Sequence, residues 1–252
     1  MKTKQRLSTG VLVKAALLTA VSIVLTRFFS VMLPLGGLPA LRVGLGSIPL
    51  ILSGILFGPL VGGMVGALSD VIGYAINPAG GAFFPGFTLT AALYGILSGV
   101  LVKNVKIQRS KWNFNYLNAL VMIAFAAGVL MLLVLSDSLL LVDGRWQFGD
   151  AMALPILIAT VVVTLLFVLL PFFSDSKIKK SEGGISFDKI TFIVSLNYVF
   201  NSVLLNTFWL SVMFGKGFMV FLPGRIVAAL ATIPIYSWIL YVLTRFFKSD
   251  ID

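Results

Sequence analysis

Apolar stretches alternate with short polar segments along the whole of this chain. Eight of them are about long enough to cross a bilayer as helices, which takes roughly 20 residues. The predicted spans are 9–30, 44–57, 59–77, 87–103, 117–135, 152–173, 190–213 and 220–246. The pattern predicts an all-α integral membrane protein, folded as a single transmembrane domain over residues 1–252.

Composition narrows the chemistry that this protein can perform. Charged residues make up 11% of the 252 residues and hydrophobic residues 59%, whereas a soluble domain carries roughly 25% charged residues. The chain has no cysteine and no histidine, which excludes disulfides, the common zinc ligands and a Ser-His-Asp triad. It has no G-x-x-x-x-G-K-[ST] phosphate loop. We therefore predict no metal, no cofactor and no ATPase of its own.

The basic residues are clustered rather than spread. The net charge is +10, and membrane proteins concentrate Lys and Arg in their cytoplasmic loops. This pattern predicts a multi-pass protein with both termini in the cytoplasm, and it gives no reason to expect a nucleic-acid partner. Fourteen of the 19 basic residues lie in four such clusters: Lys2, Lys4, Arg6 and Lys14; Lys103, Lys106, Arg109 and Lys111; Lys177, Lys179, Lys180 and Lys189; Arg245 and Lys248.

Small residues recur at helical spacing. Gly62, Gly66 and Asp70 share one face of the third predicted span, and such stripes mark close helix packing in lipid. Ala16 and Ala20 form a similar pair on the first span, which suits either internal packing or a docking partner. The fifth and sixth spans are rich in Leu, Val and Ile and predict a lipid-facing hairpin.

The few polar side chains inside the predicted spans or at their outer ends are the candidates for function. Asp70 is the one acid well inside a predicted span, and such a group is usually paired or functional. Besides Arg145 in the outer loop of the hairpin, four basic residues fall at the predicted outer side, where the orientation rule disfavours them. A ligand with carboxylates would explain them, since Arg offers a bidentate fork; snorkelling to lipid headgroups is the alternative. They are Arg27, Arg42, Lys216 and Arg225.

Aromatic and amide side chains lie beside these charges. Phe84 and Phe87 follow a glycine-rich segment and could stack on a planar heterocycle. Thr88, Asn206 and Trp209 could read the hydrogen-bonding edge of a polar ring or bond between helices. Together these residues suggest an outward-facing pocket for a flat, partly anionic molecule.

Several short runs resemble the folate-specific substrate-binding (S) component of energy-coupling-factor (ECF) transporters. The Ala16-x-x-x-Ala20 pair is similar to the motif by which that family contacts its transmembrane (T) component. At position 228 the family pattern has a lysine, where this chain has Ala228. The runs are LRVG at 41–44, LFGPLVGG at 56–63, GALSD at 66–70, FPGFTLTA at 84–91, LNTFWLS at 205–211, GK at 215–216 and LPGR at 222–225.

The resemblance implies a six-helix core in a bacterial cell membrane that captures folate from outside. A T component and two cytoplasmic ATPases would then drive its release inside. The core would comprise 1–114 and 186–252, with an extra helical hairpin, about 115–185, inserted between core helices 4 and 5. The ligand would be bound by Arg27, Arg42, Asp70, Phe84, Phe87, Thr88, Asn206, Trp209, Lys216 and Arg225.

Three other interpretations stay open at the level of sequence. An S component could take another small heterocycle, such as a pyrimidine or a pyridoxine-like vitamin. A membrane protein without a ligand, structural or regulatory, is a second possibility. An intramembrane enzyme is the third, but such enzymes need paired acids, a Ser–Lys or Ser–His pair, or metal ligands, and Asp70 stands alone.

Overall fold

A computed structural model describes residues 8–35, 37–78, 82–136, 139–142, 145–148, 153–178 and 185–247. Several charges used to orient the chain lie outside the described residues or side chains: Lys2, Lys4, Arg6, Lys177, Lys179, Lys180 and Lys248. The helices in the described ranges are α1 (Thr9–Arg27), α2 (Ser47–Phe57), α3 (Pro59–Ile76), α4 (Pro85–Gly99), α5 (Asn115–Leu135), α6 (Ala153–Ile178), α7 (Phe187–Asn197), α8 (Thr207–Phe214) and α9 (Phe218–Phe246).

Helices occupy all eight positions predicted from hydropathy. Among the described residues, six helical segments are long and apolar enough to cross a membrane, which confirms the multi-pass character: Thr9–Arg27, Pro59–Ile76, Pro85–Asn104, Asn115–Leu135, Phe187–Phe214 and Phe218–Phe246. The helix α2 has 11 residues, which is roughly 16 Å and about half of a hydrocarbon core. The count of eight full spans therefore stays a prediction.

Two π-helical stretches interrupt the long helices. Val100–Asn104 extends α4, and Tyr198–Asn206 joins α7 to α8 without a break. A π-helical turn widens the helix and changes which side chains share a face, and such turns are frequent at functional sites. The seventh predicted span is thus one rod of two α-helices with a π-helical middle.

The turn between α2 and α3 forms as the Gly58-Pro59 pair predicts. Gly58 has a φ of +92°, which glycine adopts without the steric penalty of a Cβ. Pro59 is the first residue of α3, where its missing N–H would have had no partner. The chain therefore reverses within one residue, and α3 runs back beside α2.

The predicted glycine stripe packs α3 against α4 and α2. A Cβ on Gly62 or Gly95 would collide with the backbone of the facing helix, and a Cβ on Gly66 would meet the Ala91 carbonyl. Gly54 of α2 meets the Gly95 carbonyl in the same way. Backbones in direct contact give these three helices a rigid scaffold, because dispersion and close approach drive helix association in lipid.

The predicted hairpin of α5 and α6 packs along the bundle. These two helices contact each other and α9, and α5 also contacts α7. Met122 and Val129 of α5 are buried at that interface, whereas Ile123 and Met131 remain exposed. One side of the hairpin thus faces the protein, and the other is an apolar surface suited to lipid.

Two β-hairpins depart from the all-helical prediction. Strands β1 (Ser30–Leu35) and β2 (Leu38–Gly44) pair antiparallel, as do β3 (Leu139–Val142) and β4 (Arg145–Phe148). The predicted ends of the first two spans, at 30 and 44, fall in strands β1 and β2, just beyond the helices α1 and α2. Pro34 and Pro39 cannot donate to a helix ladder, and both are tolerated in a two-stranded ribbon that has only edges.

Candidate functional site

A cavity of about 490 Å³ lies between the β1–β2 hairpin and the surrounding helices. This central cavity is lined from α1, both strands, α2, α3, α4, α9 and the α7–α8 rod. Its size falls within the range of roughly 300–1,000 Å³ typical of small-molecule sites. It is enclosed mainly by helices in direct contact, so its shape is largely set before a ligand arrives.

An ion pair closes one side of the cavity. The Arg27 guanidinium lies 3.1 Å from the Asp70 carboxylate and also donates to the backbone carbonyls of Asp70 and Asn77. Thr88 donates to the other carboxylate oxygen at 2.7 Å. These contacts tie the end of α1 to α3 and α4. Asp70 is therefore paired with an arginine, one of the two readings that its position in a span left open.

Removing the Asp70 charge should destabilise the protein markedly. The Arg27 side chain is only 5% exposed, so Asp70→Asn leaves a buried guanidinium without its counter-charge. Breaking a buried pair from one side costs roughly 3–5 kcal/mol, and we expect the lower end because Asp70 is 20% exposed. Thermal unfolding in detergent, without ligand, measures the loss. Adding Arg27→Gln should recover part of it, and strictly additive losses would contradict a coupled pair.

Arg225 lies deepest among the cavity cations. It is 4% exposed and donates to the Ser202 hydroxyl at 3.1 Å and to the Ala40 carbonyl at 3.2 Å. Its Nε is buried and has no hydrogen-bond partner among the described residues. The Tyr198 hydroxyl donates to the Arg225 carbonyl at 2.8 Å. Arg225 thus joins α9, β2 and the π-helical stretch around one charge.

Arg42 projects into the cavity from β2. Its guanidinium donates to the Thr26 carbonyl at 3.5 Å. Burial lowers the pKa of Arg42 from its ordinary value, the nearby Arg27 charge lowers it further, and Asp70 opposes both effects. Arginine stays charged at any physiological pH, so the lowered pKa reports a cation that is partly desolvated and would gain from an anionic partner.

One side of the cavity is a cluster of packed aromatic rings. Phe84 and Phe87 line the cavity with their centroids 5.6 Å apart in an edge-to-face arrangement. Trp209 packs behind Phe84 at 5.9 Å, and its indole N–H donates to the Thr90 hydroxyl at 3.1 Å. Gly86 leaves the space that Trp209 occupies, because a Cβ there would overlap the indole. Trp209 therefore supports the Phe84 ring from the side that faces away from the cavity.

The structure brings seven of the ten predicted ligand residues into the cavity lining. Thr88 lies behind Asp70, and Trp209 lies behind Phe84. Lys216 is exposed beyond the lining, on the connection from α8 to α9. Whether the residues bind a ligand stays a prediction. The seven in the lining are Arg27, Arg42, Asp70, Phe84, Phe87, Asn206 and Arg225.

Sequence reasoning missed the hydroxyl groups of the lining. Tyr94, Tyr198 and Tyr236 all border the cavity, and each reads in sequence as an ordinary apolar position of a span. Ser202 reaches the cavity from the π-helical stretch, where the period of 3.6 residues does not hold. The one signal for Ser202 was its place beside the predicted Asn206 on a span rich in Asn.

The predicted docking pair lies on the surface of α1. Ala16 and Ala20 are exposed, while their neighbours Ala15 and Thr19 are buried against the bundle. Internal packing, the alternative for this stripe, does not use the two alanines. They form a flat small-residue surface on which a second helix could approach closely.

Comparison with known proteins identifies the family of this chain. The model of the family "ECF-type riboflavin transporter, S component" matches residues 6–169. The chain belongs to this family. The S-component resemblance read from the sequence is thereby confirmed, and the protein is a transporter component and not an enzyme.

Two individual proteins are similar to this S component. The folate transporter FolT of Clostridium novyi (strain NT) is 44% identical over 98 residues, which is 39% of this chain and 54% of that protein. The chain thus matches about half the length of this relative. A crystal structure of FolT bound with folic acid is similar over 95% of this chain and 97% of that one, with a TM-score of 0.55 and 19% identity. It confirms the fold.

Proposed function

We propose that this S component captures folate in the central cavity and passes it inward with partner subunits. The observation that carries the proposal is the charge of the lining. Among the described lining residues, Asp70 is the only carboxylate and is paired with Arg27, so Arg42 and Arg225 leave an excess of two positive charges. A partly desolvated cavity of this charge favours a ligand with two carboxylates.

The shape and the aromatic wall support the same ligand class. Phe84 and Phe87 offer a face and an edge against which a pterin ring could stack. Asn206 carries a buried amide oxygen without a protein partner, and an N–H donor of a heterocycle would satisfy it. Asp70 and Arg27 border the same space. We assign ring recognition to these groups and carboxylate recognition to Arg42 and Arg225, with Lys216 as an outlying cation.

The similarity to C. novyi FolT supports folate over other vitamins. Riboflavin is the second candidate, because the matching family is named for it. The riboflavin ring system would use the aromatic wall equally well but carries no carboxylate for the two arginines. A pyrimidine or pyridoxine-like ligand would leave both arginines without a partner in the same way.

Partner subunits would supply the energy for transport and a helix that docks on this protein. The sequence has no phosphate loop for ATP, and for an ECF S component the energy would come from a T component and two ATPases. We assign the exposed Ala16–Ala20 surface of α1 to the T component, because close helix approach needs small residues. We further propose a bacterial cell membrane and cytoplasmic termini, in line with the basic clusters.

Equilibrium binding to the purified protein tests the ligand. We expect saturable quenching of tryptophan fluorescence by folate, and much weaker binding of riboflavin and of pteroate, which lacks the glutamate carboxylates. Arg42→Gln should weaken folate at least tenfold, since a charge-assisted hydrogen bond contributes about 1.5–3 kcal/mol. It should change pteroate affinity little.

The matched control is Lys106→Gln, which removes one positive charge far from the cavity and should leave folate affinity unchanged. Tighter binding of riboflavin than of folate would overturn the folate assignment and keep the S-component fold. Equal losses of folate and pteroate affinity in Arg42→Gln would contradict the role given to Arg42.

A further inference from the structure

The connection between α4 and α5 joins two candidate membrane spans. The span Pro85–Asn104 ends where this segment begins, and the span Asn115–Leu135 starts where it ends. Both are long enough to cross a hydrocarbon core. We therefore expect residues 105–114, which we call the basic connector, to lie at the membrane–water boundary between these two spans.

The basic connector is an ordered structure. Lys106 has a φ of +56° and is the one described non-glycine residue with a positive φ. This turn directs Ile107, 3% exposed, into the core while Lys106 and Arg109 stay exposed. The Lys189 ammonium donates to the Gln108 carbonyl at 3.0 Å. The connector is thus fastened to the start of α7 and presents its cations outward.

Among the described side chains, no carboxylate pairs with the cations of the connector. Lys106, Arg109 and Lys111 are all exposed. Of the two carboxylates among the described side chains, Asp70 belongs to the cavity. Asp188 accepts hydrogen bonds from the Phe114 N–H at 3.1 Å and the Ser186 hydroxyl at 2.5 Å. Its role is to hold the start of α5 beside α7.

Exposed aromatic and apolar side chains accompany these charges. Trp112 is 80% exposed, Tyr116 is 72% exposed and Val105 is 63% exposed. Trp and Tyr prefer the headgroup level of a membrane, where an apolar ring and a polar tip are both accommodated. Three exposed cations beside two interfacial aromatics form a surface that is complementary to a lipid layer with negative headgroups.

We propose that the basic connector binds the headgroups of anionic phospholipids. The phosphodiester groups would lie against Lys106, Arg109 and Lys111, with Trp112 inserted between neighbouring lipids. A basic side chain near an anionic membrane surface strengthens binding about fivefold. The site is separate from the central cavity and does not depend on which vitamin the cavity takes.

Fluorescence quenching by brominated lipids tests this proposal. The full-length protein is reconstituted into phosphatidylcholine vesicles that contain a minor share of brominated phosphatidylglycerol or, in parallel, of brominated phosphatidylcholine. The difference between wild type and Trp112→Phe isolates the signal of Trp112. We expect several-fold stronger quenching of Trp112 by the anionic lipid, falling as salt is raised.

The triple variant Lys106→Gln, Arg109→Gln, Lys111→Gln should abolish the preference for phosphatidylglycerol. The charge-conserving triple variant Lys106→Arg, Arg109→Lys, Lys111→Arg should keep it, and ligand binding in the cavity serves as the test of folding for both. Equal quenching of wild type by the two lipids, or an unchanged preference in the neutral variant, would overturn the proposal. Either result would leave the connector as a surface for a protein partner.

Discussion

Arg225→Ala should reduce folate affinity by about a hundredfold or more, the largest loss that we expect from a single cavity side chain. The variant removes a buried cation whose Nε has no protein partner, and each hydrogen bond between ions contributes about 1.5–3 kcal/mol. It also leaves the Ala40 carbonyl and the Ser202 hydroxyl without their donor, so the β1–β2 hairpin loses an attachment to α9.

Two further variants separate the effect of the Arg225 charge on ligand binding from its effect on the structure. Ser202→Ala removes one partner of Arg225 and keeps the cation, so it should weaken folate binding far less than Arg225→Ala. Arg225→Lys keeps the charge but not the planar fork, so its affinity should be intermediate. Isothermal titration with circular dichroism as the test of folding provides the measurement. An Arg225→Ala protein that folds and binds folate like wild type would remove Arg225 from the site.

Gly95→Ala should destabilise the protein by about 3 kcal/mol or more, at the upper end of the cost of overpacking. The added methyl group would overlap the carbonyl and Cα of Gly62. Backbone atoms cannot rotate away as a flexible side chain can, so α3 and α4 would have to separate. Because α3 carries Asp70 and α4 carries Phe87, the separation should also weaken ligand binding.

The matched control is Gly217→Ala, because a Cβ at Gly217 has nothing within 4 Å and this glycine has no positive φ. We expect its thermal midpoint in detergent to stay within about 2 °C of wild type, the scale of a surface substitution. A Gly95→Ala midpoint equally close to wild type would show that the contact between α3 and α4 is looser than the structure has it.

Hydropathy alone located the helices, because a bilayer demands long apolar segments whatever their neighbours are. The Gly58-Pro59 turn and the glycine stripe of α3 could also be predicted from the sequence, since each depends on local chemistry. The β1–β2 hairpin could not be predicted from the sequence. Pro34 and Pro39 interrupt an apolar run, but only pairing between residues 14 positions apart, Ser30 with Gly44, makes strands of it.

For the cavity, sequence was a better guide to residue types than to their positions. Arg27, Arg42 and Arg225 stood out because cations are costly near a membrane, and all three line the cavity. Lys216 stood out for the same reason and lies outside the lining. Tyr94, Tyr198 and Tyr236 gave no signal, because a tyrosine in a span is unremarkable until other helices place its hydroxyl beside a cavity.

The sequence by itself determined that this is a helical membrane protein with an excess of unusual cations and that it resembles ECF S components. These properties follow from the free energy of placing each residue in lipid, which is nearly local. Only the tertiary structure decided that Arg27 belongs to Asp70 while Arg42 and Arg225 lack a carboxylate partner among the described lining residues. Ion pairing between α1 and α3 depends on distances of a few ångströms across 43 residues of chain, and no property of either segment alone fixes them.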